Sequence, residues 1–554
     1  MKKVMYAMML LASFSLTTKG CSSDDEAASS TESGQTAEAS DPWDEADTEY
    51  ATVSSQLDDN NVAVVWNGTS ATVQLSANLE GVVSGIIRGG NVTLLAADSL
   101  AEEVTYTLSG NSSRGSLYMD GSYKATFVLN GLNLVSTDSA AINIRDGKRI
   151  AIVLADGTSN SLADKSNGSH KACLMVKGHA EFSGDGLLAI KGNTGHAFWS
   201  KEYCQLKKSF TGTINVASAV GDGFNVNQYF QMNGGTVNVT GVGDDGVQVS
   251  YETDDDGNVE TDDENTGEVL IQGGTLSITT TATGSKGIKA EGNLTINEDK
   301  GTTVVTIVNT GSSSGSNNTP PGGGWRAQDS SSGSSAKGIK AEGNISISAG
   351  TVSVTSASHE GMEAKGTIDI SGGNVYVKGS DDAINSGGNL TISGGQVCGY
   401  STGNDGIDAN GNCYVKGGTV YAIGSSSPEV AIDANTEERC QLYVSGGTLV
   451  AIGGLESGSS LTQTCYQASS WSAGTWYALY SGSTLALAFQ TPQSGGTPLV
   501  VSTSGTTSLK SGVSLSGGTA FWGGMAYADA TVSGGNTVSL SSYTGGNNSF
   551  GPHR

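Results

Sequence analysis

A short phrase recurs through the middle of the chain and sets a fixed period. The heptapeptide Gly-Ile-Lys-Ala-Glu-Gly-Asn begins at Gly287 and occurs again, unchanged, at Gly338. Looser copies follow at steps of 23, 22, 23 and 25 residues. They begin at Gly361, Ala383, Gly406 and Ala431. A repeat of nearly constant length is typical of a solenoid, in which each repeat forms one coil.

Within a repeat, apolar and polar residues alternate over short stretches that are separated by a glycine pair. In one example Leu390 and Ile392 flank Thr391, and Gly394-Gly395 follows before the next alternating stretch. Alternation with a period of two predicts short strands. Three such strands in about 23 residues fit one coil of a parallel β-helix, whose coils stack about 4.8 Å apart. The 80 glycines and the scarcity of helix formers agree with an all-β fold.

Departures from the period predict the domain boundaries. The repeat extends upstream to Gly223 and Gly246, which are 23 residues apart, and two later intervals are too long. We therefore predict a parallel β-helix over residues 61–454, interrupted by an acidic insertion at 251–268 and a Ser/Gly-rich insertion at 309–336. Insertions in a solenoid emerge as loops on one face. Residues 455–554 lose the rhythm and are predicted to form a C-terminal β cap or small β domain, because an open end needs covering.

The N-terminal segment has the pattern of an export signal. Lys2 and Lys3 precede an apolar run over residues 4–16, and Gly20-Cys21 follows, which predicts a signal peptide over residues 1–21. Cys21 resembles the lipidated cysteine of bacterial lipoproteins; the alternative is an ordinary signal peptide with an incidental cysteine. Residues 22–60 are acidic and poor in large apolar side chains, which predicts a disordered tether. Together these features predict an exported outer-membrane lipoprotein at the cell surface, held through Cys21 and monomeric.

The charge of the chain limits its partners. The net charge is −26, with 54 acidic against 28 basic residues. Such a surface argues against nucleic acid, whose phosphates require basic contacts. It also disfavours an acidic polysaccharide unless a cation bridges the two. The six cysteines after Cys21 allow fifteen disulfide pairings, among which the sequence does not choose.

Equal coil lengths place acidic residues of successive coils in columns. Two unit charges about 4.8 Å apart repel by about 1 kcal/mol in water and about 3.5 kcal/mol at an effective dielectric constant of 20. A divalent cation would relieve this repulsion, and Ca²⁺ takes six to eight oxygen ligands. The alternative is that these are ordinary turn residues, which Asp-Gly pairs favour. The predicted calcium ligands are Asp222, Asp244, Asp245, Asp381, Asp382, Asp405, Asp408 and Asp433.

Two successive coils carry lysines where their neighbours carry acids. These lysines are Lys286, Lys289, Lys337 and Lys340. A lysine can act as a catalytic base when burial or a neighbouring cation lowers its pKa. However, Glu360 and Glu363 follow in the same columns and would raise the lysine pKa values. We therefore favour a Lys–Glu ladder that neutralises the stack, and we assign no catalytic residue in the preferred interpretation.

Aromatic side chains are candidates for stacking on sugar rings. Trp325 lies in the second insertion, and Tyr414 and Tyr421 alternate with apolar neighbours near the ends of predicted strands. For each of them, ordinary packing in the core or on the surface is the competing interpretation.

An ordered set of segments resembles a known family. The segments are 106–110, 128–134, 141–144 and 157–162, followed downstream by Asp-Asp-Gly-Val and Asn-Asp-Gly-Ile-Asp-Ala. Over roughly residues 60–530 the chain resembles the bacterial carbohydrate-binding β-helix family related to pectate lyases. The resemblance implies a right-handed parallel β-helix, bound calcium and a cellulosic or pectic polysaccharide partner, with no hydrolytic activity established.

The sequence is compatible with three functions. The first is a calcium-dependent, non-catalytic polysaccharide binder. The second is a calcium-dependent polysaccharide lyase with one of the four lysines as base. The third is a structural or adhesive surface protein.

Overall fold

The chain winds into a β-solenoid, as its repeat predicts. A computed structural model describes residues 48–97, 100, 102–254, 256–314 and 334–545. The fold is all-β, with 2% helix, and its stacked parallel coils make about 15 turns. The predicted signal peptide with Cys21, most of the predicted tether, and Trp325 lie outside the described residues.

One face of the solenoid is a 14-stranded sheet, which we call the first sheet. After Gly90 its strands are parallel, and each coil contributes one strand. Its strands are Thr48–Tyr50, Val83–Arg88, Gly90–Ala96, Gly115–Asp120, Ile142–Ile144, Ala172–Val176, His196–Ser200, Phe224–Asn227, Val247–Ser250, Lys286–Ala290, Lys337–Ala341, Met362–Ala364, Ile384–Ser386 and Ile407–Ala409.

The remaining faces are the second and third sheets, which long strands connect. The strands that run through both are Val104–Ser112, Ala125–Val135, Tyr229–Val242 and Glu268–Thr280. The shorter strands of the second sheet are Ile150–Leu154, Ala180–Gly184, Cys204–Phe210, Leu294–Ile296, Ile345–Ile347, Ile368–Ile370, Leu390–Ile392, Cys413–Val415, Leu442–Val444 and Ser460–Leu461. Those of the third sheet are Ser159–Ala163, Leu187–Gly192, Thr213–Ala219, Thr303–Asn309, Thr351–Ser356, Asn374–Gly379, Gln396–Ser401, Thr419–Ile423 and Thr448–Ile452.

Glycine forms the bend between the second and third sheets. Gly395 has φ 76° and Gly418, in the next coil, has φ 77°. A Cβ atom on Gly395 would lie 2.6 Å from the carbonyl carbon of Gly372 in the preceding coil. The glycine pairs of the repeat are therefore required both by the left-handed backbone and by the close approach of the coils.

Inward-pointing apolar residues stack into continuous columns. In the first sheet the register pairs Ile288 with Ile339, Ile339 with Met362, and Met362 with Ile384, and all four are fully buried. Burying an aliphatic side chain of this size stabilises the fold by roughly 1.5–3 kcal/mol. Because parallel pairing joins equivalent positions, the regular repeat length keeps these columns in line.

A small β domain covers the C-terminal end. Its six-stranded sheet comprises Trp476–Ser481, Thr484–Gln490, Thr507–Ser516, Thr519–Phe521, Ala526–Ala528 and Thr531–Thr537. Leu479 and Phe489 from this sheet pack with Tyr421, Ile423 and Val450 on the outer face of the third sheet. Three further strands of this region, Cys465–Ala468, Leu499–Ser502 and Ser541–Tyr543, pair with one another, and Leu499–Ser502 runs antiparallel to Thr448–Ile452.

The N-terminal end is also closed by antiparallel pairing. Thr48–Tyr50 pairs with Val83–Arg88, and Asn61–Gly68 forms a hairpin with Ser70–Leu75. Thr52–Val53 joins Ser70–Leu75 in parallel. The ordered chain therefore begins before residue 61, and the predicted tether boundary at residue 60 is too late. Short 3₁₀ helices occur at Ala77–Leu79, Thr436–Glu438 and Trp522–Gly524.

The acidic insertion folds back along earlier coils. Glu252 Oε1 lies 3.0 Å from Lys201 Nζ, and Glu264 Oε2 lies 3.3 Å from His179 Nε2. The insertion ends at residue 267, where the strand Glu268–Thr280 begins. Among the described residues, Cys173, Cys204, Cys398, Cys413, Cys440 and Cys465 are unpaired thiols. In the part of the chain that the structure describes, no helix has the length and apolar character needed to cross a membrane.

Replacing a stacked core residue is expected to destabilise the solenoid strongly. Ile384→Ala removes a fully buried side chain from the first-sheet column, and such a change costs about 2–5 kcal/mol of unfolding free energy. Thr391→Ala, at an outward position of the same coil, is the matched control and should cost less than about 1 kcal/mol. Urea denaturation followed by circular dichroism measures both. Equal losses for the two variants would contradict the assignment of the inner column.

Candidate functional site

The predicted calcium ligands gather along one edge of the solenoid, where the chain passes from the third sheet to the first. In one coil the third-sheet strand Gln396–Ser401 ends, a turn carries Asp405, and the first-sheet strand Ile407–Ala409 follows. We call this edge, from Asp222 to Asp433, the acidic corner. The outward positions of the first sheet beside it are in register, with Lys289, Lys340, Glu363, Asn385 and Asp408 as successive neighbours.

Buried aspartates at the acidic corner bond one coil to the next. Asp222 Oδ1 accepts a hydrogen bond of 2.9 Å from the backbone N–H of Asp245, and Asp245 Oδ1 accepts one of 2.6 Å from that of Lys286. The same contact recurs further along the corner, where Asp382 bonds to Asp405 N and Asp405 bonds to Val430 N. These carboxylates satisfy turn N–H groups that would otherwise be buried without an acceptor. The buried aspartates thus join the coils as turn residues. The second oxygens of Asp222 and Asp382 also accept hydrogen bonds, of 2.8 Å from Asn225 and of 2.9 Å from Asn385.

The first cluster of possible ligands comprises Asp222, Asp244 and Asp245. One oxygen from each lies within 4.8 Å of the others. Asp222 and Asp245 are buried, whereas Asp244 is exposed at the rim. Burial, followed by the charges of Asp244 and Asp222, raises the pKa of Asp245 to about 7. The protein without a cation therefore holds this group protonated well above the ordinary range of an aspartic acid.

A second cluster contains His359, Glu360 and Asp381. His359 Nδ1 lies 3.3 Å from Asp381 Oδ2 and also contacts Glu360. The other oxygen of Asp381, Oδ1, accepts a hydrogen bond of 2.9 Å from Asn404 of the following coil, so this carboxylate contacts the coils on both sides. His359 was not predicted as a ligand, although it occupies the same repeat position as Asp381.

The third cluster comprises Asp405, Asp408 and Asp433. Burial raises the pKa of Asp405 to about 7 and that of Asp408 to about 6. Burial, together with a hydrogen bond to Glu456, raises the pKa of Asp433. Asp382 lies beside this cluster, and burial and the charge of Asp408 raise its pKa as well. Six of the eight predicted ligands thus lie in the first and third clusters, and Asp381 lies in the second.

Lys337 forms the predicted ladder with glutamates. Its ammonium is buried, lies 3.2 Å from Glu360 Oε2 and also contacts Glu363. Burial alone would raise the pKa of Glu360, but the hydrogen bond from His359 and the charge of Lys337 hold it at about 2. Lys337 is therefore a charged partner of two carboxylates, which is the opposite of what a catalytic base requires.

The other three lysines have different surroundings. Lys340 Nζ lies 2.7 Å from Glu342, and Lys289 Nζ lies 3.4 Å from the Gln248 side-chain oxygen. Lys286 donates to the carbonyl of Gly284 at 2.7 Å and to the Ser334 hydroxyl at 3.1 Å. Burial lowers the pKa of Lys286, the nearby lysines lower it further, and the charges of Asp245 and Asp244 oppose that shift.

The two described aromatic candidates lie in different environments. Tyr414 is half-buried on the outer face of the second sheet, where it stacks on Tyr443 with ring centroids 5.0 Å apart. Tyr421 is fully buried, and its hydroxyl donates to the carbonyl of Gln490 at 2.8 Å. The prediction that Tyr421 contacts a sugar is therefore wrong, because the C-terminal β domain covers that part of the third sheet.

The donors at the acidic corner fit a hard cation. The first and third clusters offer carboxylate oxygens alone, which suit Ca²⁺, whereas soft cations prefer sulfur and nitrogen donors. Burial, with a further contribution from neighbouring carboxylates, raises the pKa values of Asp245 and Asp405. In the second cluster, the hydrogen bond from His359 and the charge of Lys337 keep the buried Glu360 ionised down to about pH 2.

Comparisons with known proteins identify a family for this chain. Residues 88–383, more than half of the chain, match the family model of carbohydrate-binding domain-containing proteins. A relative of that description from Acetivibrio thermocellus is 28% identical over 121 residues, which is 19% of this chain and 42% of the relative. The match therefore spans less than half the length of that curated relative. Among solved structures, the polysaccharide lyase-like protein from C. thermocellum, a gadolinium derivative, is similar with TM-score 0.37 and 23% identity, over 45% of this chain and 92% of that one.

The buried aspartates are expected to make the calcium-free protein less stable as the pH rises. The pKa of Asp405 is about 7 in the folded protein against 3.8 for an unperturbed aspartate, so the folded state holds the extra proton between pH 4 and pH 7. The unfolding free energy should therefore fall through that window, by a few kcal/mol for this group. Asp405→Asn keeps the acceptor for Val430 N–H and removes the charge, so the fall should be smaller.

Urea denaturation of calcium-free protein at several pH values between 4 and 8 measures this effect. Asp405→Ala is the control, because it loses the hydrogen bond and should be destabilised by about 1 kcal/mol even at pH 4. An Asn variant whose stability falls with pH as steeply as that of the parent protein would contradict the prediction.

Proposed function

The chain belongs to the carbohydrate-binding domain-containing family, and we propose that it binds a polysaccharide in a calcium-dependent manner without cleaving it. The acidic corner carries this proposal. Carboxylates from successive coils lie within 4.8 Å of one another, and burial with mutual repulsion raises their pKa values. A bound Ca²⁺ supplies the positive charge that such a stack requires and leaves coordination positions for oxygens of a glycan.

The residues proposed to hold calcium fall in the first and third clusters. Asp244 is exposed at the rim of the first, and its carboxylate has no part in the bonds between coils. In the third cluster, one oxygen of Asp405 accepts a hydrogen bond from Val430 N–H, and the other oxygen is proposed to bind the cation. A chain of net charge −26 repels an acidic glycan. Calcium bound at the corner would make the local electrostatic potential positive and so attract a pectic ligand.

Binding without catalysis is favoured by the state of the lysines. Lys337 is paired with two glutamates, and Lys340 is paired with Glu342. A specific observation nevertheless favours Lys286 for the alternative function, a calcium-dependent lyase. Its pKa is lowered, and it lies beside the first cluster, close enough for Asp245 and Asp244 to influence it.

We also propose that the chain is exported and anchored at the cell surface through a lipid on Cys21. The support lies in the sequence, where Lys2 and Lys3, the apolar run and Gly20 precede that cysteine. A tethered solenoid at the surface suits a protein whose partner is an extracellular polymer.

Calcium is expected to bind at the acidic corner and to be required for retention of an acidic polysaccharide. Calorimetric titration of the full chain with CaCl₂ at pH 7.5 should show binding that Asp244→Asn weakens at least tenfold at the first cluster. Asp263→Asn is the matched control, because Asp263 is an exposed acid of the insertion and lies outside the clusters. Retention on a polygalacturonate affinity gel should disappear on chelation.

Two outcomes would count against this proposal. Identical calcium binding by the parent chain and both Asp→Asn variants would exclude the first cluster as a metal site. A calcium-dependent rise in ultraviolet absorbance from unsaturated product, abolished by Lys286→Gln, would show a lyase instead of a binder.

The proposed anchor makes a separate prediction. Expressed in a Gram-negative host and supplied with a radiolabelled fatty acid, the chain should carry the label and fractionate with membranes. Cys21→Ser should carry no label and should appear in the soluble fraction. Cys440→Ser is the control, because it replaces a cysteine far from the leader and leaves the leader intact. Labelling of the Cys21→Ser chain would exclude this residue as the lipidation site.

A further inference from the structure

A groove of ≈ 370 Å³ lies where the C-terminal β domain overhangs the third sheet. Its floor consists of outward-pointing residues from two adjacent coils, with Thr351 opposite Asn374 and Ser353 opposite Tyr376. Trp522 and Met525 of the C-terminal domain form its wall. In the next coil the equivalent outward residue, Cys398, is fully buried, so the groove is the edge of the interface between the domain and the solenoid.

The wall of the groove has an unusual backbone. Trp522 has φ 53°, and Gly523 and Gly524 follow with φ 67° and 87°. A left-handed conformation is costly for a bulky aromatic residue. The indole N–H of Trp522 lies 3.4 Å from the carbonyl of Gln396, which fixes the ring against the third sheet. Such strain is characteristic of functional positions.

The floor offers a polar atom that lacks a partner. Among the described residues, Asn374 Oδ1 is buried and makes no hydrogen bond. A buried acceptor without a donor costs roughly 1–3 kcal/mol, so a ligand hydroxyl reaching it would be favoured. The hydroxyl groups of Thr351 and Ser353 lie on the neighbouring strand of the same floor.

The groove contrasts with the acidic corner in charge. The described residues that line it include no Asp, Glu, Lys, Arg or His, although the chain as a whole carries a net charge of −26. Its aromatic and thioether walls suit the apolar face of a pyranose, and its hydroxyl and amide groups suit the equatorial hydroxyls. An acidic sugar would bury its carboxylate here without a cationic partner, which is costly.

We propose that this groove is a second glycan subsite, separate from the acidic corner, that binds a neutral pyranose segment without calcium. The inference rests on the proposed polysaccharide binding and assigns that function a neutral sugar class at a defined place. The volume lies at the small end of the range for ligand pockets and admits one or two sugar units of a longer chain. The occupant enters against the ring of Tyr376, beneath Trp522 and Met525.

A blocking variant tests the assignment. Ser353→Tyr places a large side chain in the groove from an outward position and removes no core contact. Ser346→Tyr, at an exposed outward position of the second sheet in the same coil, is the matched control. The full chain is titrated by calorimetry with cellohexaose, xylohexaose and mannohexaose, and with hexagalacturonate, each in CaCl₂ and in EDTA.

At least one neutral hexasaccharide should bind equally in CaCl₂ and in EDTA, and Ser353→Tyr should weaken it at least tenfold while Ser346→Tyr leaves it unchanged. Asn374→Ala gives an independent readout if Ser353→Tyr fails to fold. It should weaken binding at least threefold without lowering the melting temperature, because Asn374 Oδ1 has no protein partner to lose.

The remaining outcomes separate this inference from the proposed function. If neither variant weakens binding of a neutral hexasaccharide, the groove is not the subsite. The same conclusion follows if hexagalacturonate is the only probe that binds and it requires calcium. Both outcomes leave the proposed function standing. Failure of the parent chain to bind any of the four probes in CaCl₂ would overturn both.

Discussion

The bond from an aspartate of one coil to the backbone N–H of the next holds the edge on which the rest of the molecule depends. At this edge the chain leaves one sheet and enters another, and four backbone N–H groups of the turns take their acceptor from a side chain of the neighbouring coil: those of Asp245, Lys286, Asp405 and Val430. Asp222, Asp245, Asp382 and Asp405 each supply that acceptor. Because these aspartates occupy the same position in adjacent coils, on either side of the two lysine coils, the bonds between coils bring carboxylates together at two places along the corner. The concentration of carboxyl groups at this edge is thus a consequence of how the coils are joined.

Much of the fold could be predicted because the coil length is nearly constant. Parallel pairing joins equivalent positions, so counting from Gly338 is enough to place Lys340 beside Glu363 and Glu363 beside Asn385. The lysine–glutamate ladder followed from the same count. The repeat length does not determine the direction in which side chains of the turns point. Asp381 bridges its two neighbouring coils, with one oxygen near His359 of the preceding coil and the other bonded to Asn404 of the following one.

The C-terminal domain accounts for the other difference between prediction and structure. It lacks the period, so the sequence does not reveal which face of the solenoid it covers. Tyr421 lies on the outer side of the third sheet, but the domain buries that face with Phe489 and Trp522. The groove beside Tyr376 exists for the same reason, since its floor belongs to the repeat and its wall belongs to the domain. Neither part alone carries a signal for it.

The antiparallel strands at the two ends of the solenoid also govern how the molecule meets its own copies. A parallel stack is open-ended, and its last coil would present hydrogen-bonding groups on which another solenoid could continue the series. Here Leu499–Ser502 lies against the outer edge of Thr448–Ile452 with the opposite chain direction, and Thr48–Tyr50 does the same for Val83–Arg88. These strands occupy the pairing edge and oppose the addition of a further parallel coil. Many identical stacks can therefore lie side by side at high local concentration without seeding fibres.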